Sequence, residues 1–177
     1  MPSERFVEAL NEQVGREFAA AHQYVAIGAY YESETFPQLA RFFYGQAEEE
    51  RGHAMRMVNY LLERGAPMRL GEVPAPRAHF DDHVAPIRLA LEQERRVTVE
   101  IGGLFEVARE TRDSASEIFM QWFVSEQVEE EAAIGVPSRR RRACAGAADD
   151  ARGIHRARRG PARTRPRPEL RMRARSR

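Results

Sequence analysis

Four stretches of this chain carry residues at alternating intervals of three and four, and each of the four stripes is broken near its middle by polar groups. Leu10, Val14, Glu17, Ala21, Tyr24, Gly28 and Tyr31 form the first stripe; Leu39, Phe43, Gln46, Glu50, His53, Met57 and Tyr60 form the second. Ile87, Leu91, Glu94, Thr98, Ile101, Phe105 and Ala108 form the third, and Met120, Phe123, Gln127, Glu130 and Ile134 the fourth. Residues so spaced share one face of an α-helix. The spacing predicts helices over about 4–32, 37–64, 83–111 and from Asp113 or Ser114 to 134, the second opened by Pro37 and closed by Gly65.

Between the second and third helices, residues 65–82 carry three prolines and no sustained period. A connection of that length reaches up to roughly 60 Å when extended, whereas a helix of about 27 residues is ~40 Å long. It can cross a whole bundle and leave the third helix parallel to the second. The expected fold is therefore all-α, a four-helix bundle with one long crossover between the second and third helices.

The interruptions are Glu17, Glu50 with His53, Glu94, and Gln127 with Glu130. A buried, unpaired carboxylate is costly, so four helices bringing such groups to one level need a common cation. Arg51, Arg95 and Arg96 are close in sequence, but their spacing puts them off the stripes. A lone Glu-x-x-His on a helix is a weak signal; the coincidence across four stripes is what carries the metal reading. Carboxylates plus one imidazole suit iron or manganese, with zinc able to compete. Three Glu and a His are too many for one ion with open positions, which makes two metals the natural count.

Composition narrows the setting. A length of 177 residues suits one domain. The single cysteine, Cys144, excludes a disulfide framework and a Cys-based metal site within one chain. No basic leader with an apolar run opens the sequence, and no stretch approaches a membrane span, so a soluble, cytoplasmic protein with no membrane partner is expected. The net charge of +1 conceals two pieces: residues 1–134 hold 13 arginines against 24 acidic residues, and residues 135–177 hold 15 arginines against three. The domain boundary is placed there, with 1–134 the helical bundle and 135–177 an Arg-rich tail.

The segments Asn11-Glu12-Gln13 through Glu17 to Tyr24, Glu48-Glu49-Glu50-Arg51-Gly52-His53, and Gln121 to Glu130 resemble the bacterial non-haem ferritins over about residues 5–134. Di-iron carboxylate bundles, of which the ferritin-like proteins are the known example, use Glu on two helices and Glu-x-x-His on the other two. Here the fourth helix has Gln127-Val128-Glu129-Glu130 instead, and Gly52 is not the methionine that would ligate a haem, so the resemblance implies iron and no haem. It implies that Glu17, Glu50 and His53 hold a first iron, and Glu50, Glu94 and Glu130 a second, with Gln127 adjacent. Glu49, Glu126 and Glu129, with Glu130, look like the third iron site of such ferritins; the alternative is a solvated acidic helix face. Tyr24 is similar to the family's tyrosine beside the di-iron site, an electron donor to oxygen, and is otherwise core. The implied activity is a ferroxidase acting on Fe(II) and O2, feeding a ferric mineral store inside a cage of 24 identical subunits.

Past Ile134 the resemblance stops. Gly135 and Pro137 are expected to end the fourth helix early, leaving Tyr31, Phe43 and Ile87 short of partners. The tail is too poor in large apolar residues to fold alone and reads as disordered. Its excess of arginine fits a helical C-terminus translated out of frame in a GC-rich gene. The other reading is an assembly-impaired chain whose basic tail binds nucleic acid or an anionic surface, against which stands the lack of any aromatic residue after Gly135.

Overall fold

The structure, a computed structural model, describes the backbone of residues 1–157 and the side chains of residues 1–135. Its elements are α1 (Glu4–Ser33), α2 (Pro37–Glu63), α3 (Ala85–Glu110) and α4 (Ser114–Ala157). The chain divides into two compact units, Met1–Arg141 and Arg142–Arg177. The first is an all-α bundle; the described part of the second is helical to Ala157. Among the described residues no helix is long and apolar enough to cross a membrane.

Local chemistry sets the helix ends. Ser3 Oγ accepts the Phe6 N–H at 3.2 Å and caps α1, while the Asp113 carboxylate accepts the Ser116 N–H at 3.2 Å and its hydroxyl at 2.6 Å to cap α4. Pro37 opens α2, where its missing N–H costs nothing. At the end of α2 the Ala66 N–H reaches Leu61 O and the Gly65 N–H reaches Leu62 O, with Gly65 at φ +63° as this closure demands.

Two apolar clusters place the polar level and fix the topology. One gathers Phe6, Leu10, Val14, Met57, Leu61, Ile101, Leu104, Met120 and Phe123; the other gathers Tyr24, Ile27, Tyr31, Phe43, Ile87, Ala90 and Ile134. Along α1 and α4 the first cluster precedes the second, and along α2 and α3 the order is reversed. Hence α3 runs parallel to α2, and the connection between them spans the bundle. It does so along α1: Asn11 donates to Pro67 O at 3.0 Å and accepts from Arg69 N at 2.6 Å, Gln23 exchanges two bonds with the Arg77 backbone at 2.8 Å, and Tyr31 donates to His83 O at 2.6 Å. Each large side chain fully buried in these clusters contributes about 1.5–3 kcal/mol.

The backbone of α4 is helical past Ile134, through Gly135 and Pro137, to Ala157. Proline removes one bond of the helical ladder, and the alanines and arginines beyond it are strong helix formers. Tyr31, Phe43 and Ile87 are not short of partners: all three are buried in the cluster that Ile134 completes. The third stripe is also turned slightly, since α3 buries Ala90, Val97 and Leu104 while Leu91, Thr98 and Phe105 are half-buried. The expectations for the tail's side chains and for residues 158–177 lie outside the described residues.

Candidate metal centre

Between the two apolar clusters, every helix contributes buried polar groups: Glu17 from α1, Gln46, Glu50 and His53 from α2, Glu94 from α3, and Gln127 and Glu130 from α4. None is more than 6% exposed. They stand where each stripe was interrupted, because helical spacing carries one residue per turn to the same face.

The α1–α2 side is dense in ligand atoms. Glu17 Oε1 accepts from Gln13 Nε2 at 2.9 Å, while among the described residues its buried Oε2 has no hydrogen-bond partner. His53 Nδ1 lies 3.3 Å from Glu50 Oε2, and its Nε2 lies 3.9 Å from Glu126 Oε1. One atom each from Glu17, Glu50 and His53 falls within 4.8 Å of the others, as does one each from His53, Glu126 and Glu130. Edge-on contacts from Trp122, at 5.6 Å, and Phe123, at 5.9 Å, hold the imidazole ring; Arg56 stacks on the outer face of that indole at 3.9 Å.

The α3–α4 side is organised by hydrogen bonds instead. Tyr24 donates its hydroxyl to Glu94 Oε1. Gln127 Nε2 lies 3.4 Å from Glu94 Oε2 and 3.4 Å from Glu94 O. On α2, Gln46 donates to Glu49, and among the described residues its buried Oε1 has no hydrogen-bond partner.

So many carboxyls in a dry interior cannot all ionise unaided. Burial, then the charge of Glu50, pushes Glu17 well above the usual carboxylate range. Burial raises Glu50 to about 8, with contact from Glu17 opposing and Glu94, Glu130 and Glu49 adding to the rise. Burial and the charges of Glu94 and Glu49 raise Glu130 to about 7. Glu94 is raised by burial, against the hydrogen bonds of Tyr24 and Gln127. Burial and the neighbouring Glu94 push the Tyr24 phenol well up, so it stays a donor. A divalent cation would relieve all of these at once and give the orphaned Glu17 Oε2 a partner, which is why the donor set fits hard, oxygen-loving metals.

The family profile described as a ferritin-like domain matches residues 7–135. The chain belongs to the ferritin family. This ferritin is 48% identical over 129 residues to Ferritin BfrB of Mycobacterium tuberculosis, covering 73% of this chain and 71% of that protein. It is 42% identical over 132 residues to the bacterial non-heme ferritin of Staphylococcus aureus, covering 75% and 80%. Among solved structures, an open pore ferritin from Archaeoglobus fulgidus superimposes with a TM-score of 0.77 at 36% identity, covering 79% of this chain and 86% of that one.

Within this ferritin the expected residues fall into two grades of assembly. Glu17, Glu50 and His53 meet as one group, and Glu126 and Glu130 meet around the other edge of His53. Glu94 belongs to neither group; its carboxylate is turned to Tyr24 and Gln127. Glu49 and Glu129 are exposed and Glu126 is half-buried, so the acidic face runs from the buried level out to solvent. Sequence reading passed over Gln13 and Gln46, although each lies four residues before a carboxylate of the site, at the spacing where side chains meet on a helix. It also passed over Glu131, which accepts from the Thr98 hydroxyl at 2.7 Å; nothing in a stripe pattern marks a residue one step off the buried face.

Proposed function

We propose that this ferritin stores iron and is a ferroxidase, oxidising Fe(II) with O2 inside each subunit. The observation that carries the reading is the convergence of Glu17, Glu50, His53, Glu94, Gln127 and Glu130, from four helices, at one buried level between two apolar clusters. Glu17, Glu50 and His53 take the first Fe(II). Glu50 is shared with a second, for which Glu94, Glu130 and Gln127 would supply the remaining ligands once Glu94 leaves Tyr24. Two Fe(II) at this level give one electron each to O2, which with two protons leaves as hydrogen peroxide. The ferric products pass by Glu49, Glu126 and Glu129, where a third ion is held, toward solvent. Where only one Fe(II) is in place, Tyr24, hydrogen-bonded to Glu94, would supply the second of the two electrons to O2, its phenol losing one electron and one proton.

Storage requires an enclosed volume, so we place the chain in a homo-oligomeric cage of 24 subunits, soluble in the cytoplasm and without haem. Residues 1–134 form the iron-handling domain and residues 135–177 an appendage to it. The test is aerobic Fe(II) addition followed by stopped-flow absorbance and native mass measurement. Wild-type chain is expected to oxidise Fe(II) within seconds and to remain a large mineral-filled assembly. Glu50→Ala or His53→Ala should slow the fast phase on the order of a hundredfold, the upper end of what losing even a ligand's supporting partner costs, while the helical circular dichroism is unchanged. Unchanged oxidation kinetics in both variants would falsify the ligand assignment, and a monomer that precipitates iron would remove the storage role.

A further inference from the structure

Behind Gln127, on the side away from the first cation position, lies a short polar chain that the ligand set does not use. Thr98, on α3, donates its hydroxyl to Glu131 Oε1, on α4, at 2.7 Å. The same hydroxyl lies 3.0 Å from the carbonyl of Glu94, one turn earlier in its own helix. Gln127 Nε2 in turn lies 3.5 Å from Thr98 Oγ1, 3.4 Å from Glu94 O and 3.4 Å from Glu94 Oε2. These last contacts are long for hydrogen bonds, so no single one of them orients the amide. What orients it is that every atom on that side is an acceptor.

A hydroxyl has one proton. The Thr98 proton has two acceptors in reach, and the Glu131 carboxylate is the nearer and takes the stronger, charge-assisted bond. With its proton directed at Glu131, Thr98 Oγ1 presents only lone pairs to Gln127. Turning the amide over would then set its carbonyl oxygen against three acceptors, at Thr98, Glu94 O and Glu94 Oε2. Of the three, Glu94 Oε2 belongs to a carboxylate that must move when a cation arrives, so the frame that persists is the Glu94 backbone and Thr98. The amide nitrogen is held toward α3, and Oε1 is left on the opposite side, where among the described residues no donor reaches it.

We infer that Thr98 and Glu131 are positioning residues for the second cation: by fixing where one hydroxyl proton points, they hold Gln127 with its oxygen, not its nitrogen, toward the cleft. This rests on the two-cation reading above. A neutral amide oxygen is a serviceable ligand for a hard divalent ion, and an amide NH2 in the same place is a repulsive one. Support of this kind typically changes metal affinity tenfold or more when removed.

The test uses the full-length protein and Co(II) alone, titrated without oxygen and followed by its visible absorption. The equivalent lost in Glu94→Ala marks the second position. Thr98→Val is expected to weaken that equivalent about tenfold and to leave the Glu17–Glu50–His53 equivalent at wild-type affinity; Thr98→Ser, which restores the hydroxyl, is expected to recover it. Glu131→Ala, which leaves the Thr98 proton only the weaker Glu94 carbonyl as acceptor, should shift the second equivalent in the same direction by less. Wild-type affinity at both positions in Thr98→Val and Glu131→Ala overturns the inference, and so does equal weakening of both positions, which would mean a purely structural role. A wild-type chain that takes up only one buried equivalent overturns the two-cation reading itself.

Discussion

The two halves of the polar level are built on different principles. On the α1–α2 side, ligand atoms of Glu17, Glu50 and His53 already gather within 4.8 Å, at the cost of a buried oxygen with no partner and carboxyls that burial pushes upward. On the α3–α4 side, Glu94 has the Tyr24 hydroxyl as donor and the Gln127 amide at the long distance of 3.4 Å, which offset part of the burial that raises it. A cation would relieve both halves, but the first holds its ligand atoms together in advance and the second does not. The first should bind tightly with little rearrangement, whereas the second must give up hydrogen bonds each time it fills. An asymmetric pair of that kind suits an iron-handling protein, because an ion bound weakly at one position can leave for storage.

The largest expected effect comes from erasing the asymmetry. Gln127→Glu combined with Glu130→His gives α4 the same Glu-x-x-His that α2 carries at Glu50 and His53. The second Co(II) should then bind on the order of a hundredfold more tightly, and Fe(III) produced at the site should stay there, so that turnover stops after one round while the first oxidation remains fast. Sustained turnover in this double variant would show that the weakness of the second position is not what drives release.

A smaller effect separates the halves by pH. Folding raises Glu50 from an ordinary 4.5 to about 8 and Glu130 to about 7, so the metal-free folded state holds protons that the unfolded chain releases. The stability this contributes is complete below the unfolded value of about 4.5 and is lost as pH rises through the folded values. Metal-free protein should therefore melt at a lower temperature at pH 8.5 than at pH 5.5. Saturating Co(II) should flatten the slope, and its binding at pH 6.5 should release protons, measurable as a dependence of the calorimetric heat on buffer. A melting temperature that climbs with pH in the metal-free state would mean that these carboxyls are ionised and otherwise compensated.

Much of this was legible in the residue spacing, and for a physical reason: a carboxylate in an apolar stripe is an expensive exception, and four exceptions at one level leave few alternatives. The helices, the crossover and the buried ranks of Glu17, Glu50, His53, Glu94, Gln127 and Glu130 follow from that pattern. Side-chain direction did not. Nothing in the stripes says that Glu94 turns to Tyr24 or that Thr98 gives its proton to Glu131, because those choices depend on contacts between helices.

The finest probe of the comparison is a single oxygen atom. Tyr24 is fully buried, and its hydroxyl is what ties Glu94 to the metal-free arrangement. Tyr24→Phe keeps the ring, which packs on Phe43 at 5.7 Å, and deletes only the donor. The metal-free protein then loses a bond to a buried carboxyl, about 1 kcal/mol. The bound state loses little, because there Glu94 faces the cation instead. Removing the donor should therefore tighten the second position by roughly fivefold, the same free energy with the opposite sign, and leave the first untouched. Weaker Co(II) binding at the second position in Tyr24→Phe would reverse the argument: the hydroxyl would then be supporting the filled site, and the α3–α4 half would be as prebuilt as the α1–α2 half.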